Sequence, residues 1–91
     1  MITEEQFKNL KIGDRIFRDG KLIAEVIGII PKGEIGNGRT HGVKILDNGE
    51  EREIFWQLYS SIGTKFQIAC KGKFSDRYSH ERNVIEPAQA P

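Results

Sequence analysis

Asp14-Arg15-Ile16-Phe17-Arg18-Asp19-Gly20-Lys21-Leu22-Ile23-Ala24-Glu25-Val26-Ile27-Gly28-Ile29-Ile30 is the stretch that decides the fold class. Asp19-Gly20 lies between two apolar runs, and those two residue types tolerate the positive φ angles of a tight hairpin turn. Two antiparallel strands are therefore expected, over residues 14–18 and 21–30. Strand alternation places Leu22, Ala24, Val26 and Ile30 on one face and Ile23, Glu25, Ile27 and Ile29 on the other. Both faces are largely apolar, so the second strand should lie inside a sheet.

Toward the amino terminus, Thr3-Glu4-Glu5-Gln6 has the form of a capping box. A short helix should start at Glu4 and end near residues 10–11. Ile2 and Phe7 form a hydrophobic staple, and Phe7 with Leu10 makes an i, i+3 pair facing what the helix covers. Toward the carboxyl terminus, residues 31–42 hold four glycines and a proline and read as a long mobile loop. Asn48-Gly49 then predicts a type I′ turn joining strands 43–46 and 51–56. Asp47, Glu50, Glu51 and Glu53 against Arg52 read as a solvated hairpin tip. Residues 57–62 suggest one helical turn. Alternation returns over 64–74, with Phe66, Ile68, Cys70 and Phe74 on one face. Residues 75–83 read as a loop or helical turn, Val84-Ile85 as a short last strand, and residues 87–91 as a fraying tail.

Short strands at this spacing with Gly-rich turns predict an all-β fold, a small five-stranded antiparallel barrel preceded by a short helix. Ninety-one residues support one domain, residues 1–86. A chain this short has little room for both a core and a deep catalytic pocket, which favours surface binding over catalysis. Fourteen Lys and Arg against thirteen Asp and Glu leave +1, so bulk charge names no partner. Cys70 is the single cysteine and cannot form an internal disulfide. The first residues lack a basic start and an apolar stretch, and the longest apolar run, 26–30, is too short to cross a membrane. A cytoplasmic protein is the expectation.

Leu10-Lys11-Ile12-Gly13-Asp14-Arg15-Ile16, followed by the hairpin and Ala24-Glu25-Val26-Ile27-Gly28-Ile29, resembles the opening of Tudor and KOW-type barrels of SH3-like architecture. The resemblance covers about 20 residues. It implies binding of nucleic acid or peptide segments. Gly13 would permit the chain reversal and Gly28 the bend that a barrel strand needs.

Ligand arithmetic argues against a metal: His41, His80 and Cys70 are the only imidazoles and thiol, with no CxxC, HxxxH or HExxH spacing. No cofactor is expected. The glycine-rich loop lacks the GxxxxGK[ST] spacing of a phosphate cradle, and Glu34 opposes an anion. Arg39, Thr40 and His41 keep a ribonuclease-type activity as a minor reading. Cys70 reads as a small core residue.

Two surfaces remain. Between residues 65 and 82, Lys65, Lys71, Lys73, Arg77 and Arg82 against Asp76 and Glu81 leave +3. Phosphates would meet these cations and a base would stack on Tyr78, so nucleic-acid binding is the leading expectation. The alternative is a protein-interaction module, a small regulator, accessory subunit or inhibitor. It would dock through Trp56 and Tyr59 and the acidic tip at Glu50 and Glu51. Phe55 and Trp56 are adjacent on a strand and must point to opposite faces. An unprotected edge strand leaves monomer and weak homodimer both open.

Overall fold

The helix start is built as the capping box requires. In the computed structural model of the protein, which describes residues 2–31, 41–59, 65–70, 73–74 and 76–88, Thr3 Oγ1 accepts from Gln6 N at 3.1 Å. Gln6 Oε1 accepts in return from Thr3 N at 2.9 Å. The helix, α1 (Glu4–Lys8), stops at Asn9, earlier than its apolar spacing implies. Ile2, Phe7 and Leu10 are all buried, so the staple and the i, i+3 pair both face the core.

The strands are β1 (Arg15–Arg18), β2 (Lys21–Ile30), β3 (Gly42–Asp47), β4 (Glu50–Tyr59), β5 (Lys65–Cys70), β6 (Lys73–Phe74) and β7 (Asn83–Glu86), with α2 (Asp76–Ser79) before β7. They form one antiparallel sheet in the order β6-β5-β4-β3-β2-β1-β7, curled into a half-barrel. Six strands have four residues or more, and β6 has two. The architecture departs from the expected five-stranded barrel in two ways, an added strand and a lengthened one. The predicted strand over 64–74 folds back on itself, pairing Cys70 with Lys73 and Ala69 with Phe74. Residues 57–59, expected as a helical turn, extend β4 and pair with β5. As expected, β2 is an interior strand.

Both hairpin turns have the anticipated chirality. Asp19 and Gly20 have φ of 52° and 80°, and Asn48 and Gly49 have 52° and 83°. Nothing lies within 4 Å of a Cβ placed on Gly49. Gly49→Ala should therefore meet only the left-handed backbone penalty of about 1–2 kcal/mol. Urea unfolding should show a lower midpoint with an unchanged m-value.

The curl comes from β2. Its pairing with β1 steps from Ile16↔Ala24 to Phe17↔Leu22, and its pairing with β3 from Val26↔Ile45 to Gly28↔Lys44, one extra β2 residue each time. Such bulges bend the bulged strand and switch the face of everything beyond them. Strict alternation therefore fails twice. Ala24 and Val26 are inside, but Leu22 pairs with Phe17 and is 54% exposed. Past the second bulge Ile29 falls in register with buried Val43, yet it lies at the strand end and is 38% exposed, while Ile30 is half-buried opposite Gly42.

The concave face holds Ile16, Ala24, Val26, Val43, Ile45, Ile54 and Ile68, with Phe7 of α1 and Tyr78 of α2 in the same core. Cys70 packs partly buried against it, as a small core residue should. The reversal into β1 uses Gly13 at φ +97°. Asp14 holds that reversal: Oδ2 accepts from Lys11 N at 2.8 Å and Oδ1 from Ala88 N at 2.7 Å. The tail expected to fray from residue 87 is thus tied down as far as Ala88; residues 89–91 lie outside the described residues.

Candidate functional site

The segment expected to form the basic face folds around one carboxylate. Asp47 ends β3, and the type I′ turn that follows turns it toward α2. It is 4% exposed and accepts from Arg77 Nε at 2.7 Å, Arg77 Nη2 at 3.1 Å and the Tyr78 hydroxyl. Burial pushes its carboxyl up. The Arg77 and Tyr78 hydrogen bonds, with the Arg77 and Arg52 charges, outweigh that and hold it below its ordinary value. Burial raises the Tyr78 phenol, and the Asp47 hydrogen bond and charge raise it further. Asp47 is therefore not part of a solvated tip. It is the post to which α2 is fastened.

Tyr78 is 2% exposed, which removes it as a stacking platform for a base, because its ring faces lie in the core. Arg77 is committed to Asp47, and Arg82 in the turn before β7 pairs with Asp19 at 3.3 Å. The two basic side chains described on this face, Arg77 and Arg82, thus meet carboxylates of their own chain at the hairpin tips. Lys65 begins β5 opposite Tyr59, and Lys73 pairs with Cys70 along the backbone. Lys71, Arg39 and Thr40 lie outside the described residues, as do the side chains of Lys65, Lys73 and Tyr59. His80, expected to be solvated, is half-buried and its Nδ1 accepts from Arg82 N at 3.0 Å.

Trp56, the proposed aromatic anchor, points inward and is 8% exposed. Its ring lies 5.6 Å from that of Phe7, which in turn meets His41 edge-on at 6.0 Å. This triad roofs one end of the core beneath α1. Phe55 points the other way, over Gly42, where a Cβ would sit 2.4 Å from Phe55 Cδ1. Glu50 and Glu51 are exposed as expected, and Glu50 pairs with Arg52 at 2.7 Å.

His41 Nε2 is buried and has no hydrogen-bond partner among the described residues. Burial, reinforced by the Lys8 charge, holds the imidazole below its ordinary value. The unfolded chain then takes up the proton first, so stability is complete above about pH 6.5 and falls as pH drops toward the folded-state value. The thermal midpoint should drop between pH 7.5 and 5.5, and the drop should be smaller in His41→Gln.

The convex face carries a surface that alternation alone misassigned. Pairing of Phe17 with both Leu22 and Val84 lays three apolar residues side by side across β2, β1 and β7. Leu22 and Val84 are 54% and 58% exposed, and Phe17 is half-buried with the Arg15 guanidinium 5.8 Å from its ring centroid. Phe17 and Val84 were legible as outward-facing from their spacing to Ile16 and Ile85. Leu22 was not, because the bulge at Ile23 moved it there.

Among the described residues no group of three or more His, Cys, Asp or Glu is placed to hold a metal ion. No protein-family model, curated protein or solved structure matches the chain. Fold and surface together define a small, curled antiparallel β-protein with an exposed apolar strip beside one sheet edge.

Proposed function

We propose that this chain is a non-enzymatic protein-interaction module that docks through the convex face of β2, β1 and β7. The exposed Leu22–Phe17–Val84 row carries the reading. Contiguous apolar side chains rimmed by charge mark interaction surfaces, and burying such a row on a partner is favourable. Compensation of Arg77 and Arg82 within the chain, and burial of Tyr78, favour this over nucleic-acid contact through residues 65–82. The acidic element of the interaction reading, Glu51, lies on the same convex face. Trp56 belongs to the core instead. We read the half-barrel as a wider relative of the small SH3-like barrels of the Tudor and KOW type, supported by the Gly13 reversal and by the bulge beside Gly28.

Selection of displayed random peptides against the folded protein tests the proposal. Enriched peptides should lose about tenfold or more in affinity for Leu22→Ser/Val84→Ser, whose thermal midpoint should stay near wild type because both positions are exposed. Failure to enrich any peptide, or equal binding to the double variant, would overturn it. Salt-dependent amide shifts confined to residues 65–82 on titration with single-stranded oligonucleotide would overturn it in favour of nucleic-acid binding.

A further inference from the structure

Directly beside the apolar row, the strand register builds a second row. Leu46 pairs with Glu51 and with Glu25, and Arg15 pairs with Glu25 and with Glu86. Crossing the convex face from β4 to β7, the side chains therefore read Glu51, Leu46, Glu25, Arg15, Glu86. Arg15 is already bound to Glu86. Three carboxylates against one guanidinium leave two negative charges in excess, and Leu46 stands among them 38% exposed. In the next row Lys44 is paired with Glu53 and adds no net charge.

Resting on the interaction reading above, we infer that the partner is a positively charged amphipathic α-helix lying across β2, β1 and β7. Its apolar side covers Leu22, Phe17 and Val84, and its cations meet Glu25 and, past the β2 end of the apolar row, Glu51, the two carboxylates that Arg15 leaves uncompensated. Charge selects the sign. A second copy docking by this same face, a nucleic-acid backbone or an anionic lipid surface would each bring negative charge to a face already negative.

Spacing selects the helix. Adjacent strands lie about 4.8 Å apart, so the Cα atoms of Glu51, Glu25 and Glu86 recur about every 10 Å across the sheet. A helix repeats its face every seven residues, or about 10.5 Å. An extended chain repeats a face at about 6.7 or 13 Å and misses this period. The two rows are two residues apart along β1 and β7, about 7 Å, and three along β2, where the bulge takes up the extra residue. A helix about 10 Å wide covers both.

The test is an amide NMR titration with three synthetic 18-residue peptides. The first carries Lys at i, i+7 and i+14 with Leu at i+3, i+6, i+10 and i+13, so that the Leu stripe lies beside the Lys stripe; the second has Glu in place of Lys; the third is a scramble of the first. The Lys helix should shift amides at residues 15–25, 46 and 84–86 and bind about tenfold or more tighter than either control. Glu25→Lys/Glu51→Lys should weaken it by about tenfold or more. Equal binding of the scramble or of the Glu peptide, or undiminished binding to the charge-reversed protein, would overturn the inference. If the peptide selection enriches uncharged sequences that require Leu22 and Val84, the inference fails and the interaction reading stands. If it enriches none, both fail.

Discussion

Asp47→Ala should lower the free energy of unfolding by about 2–4 kcal/mol, read as a fall in the urea midpoint. The figure combines charge-assisted hydrogen bonds worth about 1.5–3 kcal/mol with the penalty of about 1–3 kcal/mol for leaving the buried Tyr78 hydroxyl without its acceptor. Arg77 contributes less to the loss because its side chain is half exposed and water replaces the carboxylate. A domain of this size is stable by roughly 5–14 kcal/mol, so one carboxylate carries a substantial share. Tyr78→Phe should cost less, since Asp47 keeps Arg77. The Asp47→Ala/Tyr78→Phe double variant should fall well short of the sum of the single variants, because the two residues share one hydrogen bond. Additive losses would mean that the contact carries no energy. The folded-state carboxyl is held below its ordinary value, so this contribution is present above about pH 4 and lost as pH falls through the folded-state value. Asp47→Asn should flatten that part of the acid transition.

Phe7→Ala should cost about 3–5 kcal/mol, the usual loss when a fully buried aromatic ring is truncated. The ring joins α1 to the sheet through Trp56 and His41, so its removal should free α1 before the sheet melts. Trp56 is the only tryptophan, and its fluorescence should move to the red in native buffer as water reaches the indole. Phe7→Leu keeps most of the apolar volume and should cost less than about 1.5 kcal/mol. An unchanged midpoint and emission in Phe7→Ala would mean that α1 does not roof the core. The same packing explains why Trp56 is unsuited to a docking role: its ring is in the core, and truncating it would cost stability of the same order as Phe7→Ala.

Local chemistry was legible where one peptide segment settles its own geometry. Thr3 and Gln6 satisfy each other's amides without help from the rest of the chain, and Asp19-Gly20 and Asn48-Gly49 take positive φ because their residue types tolerate it. The candidate sites were less legible. Lys65, Arg77 and Arg82 look like free cations in a row of letters. Asp47 and Asp19, which neutralise the two arginines, lie 30 and 63 residues earlier. Tyr78 looks like an amphipathic surface ring until its hydroxyl is seen to have a buried acceptor.

The sequence by itself determined the β class, the helix start, both tight turns, the interior position of β2 and the burial of Phe7 and Leu10, because propensity, capping and periodicity act over a few residues. Only the tertiary structure decided that β5 pairs antiparallel with β6, that Asp47 is buried, and that Leu22 joins Phe17 and Val84 on the convex face beside Glu25 and Glu86. A bulge adds one residue on one strand relative to its neighbour. Its effect on which face a side chain takes exists only once two strands have chosen their register.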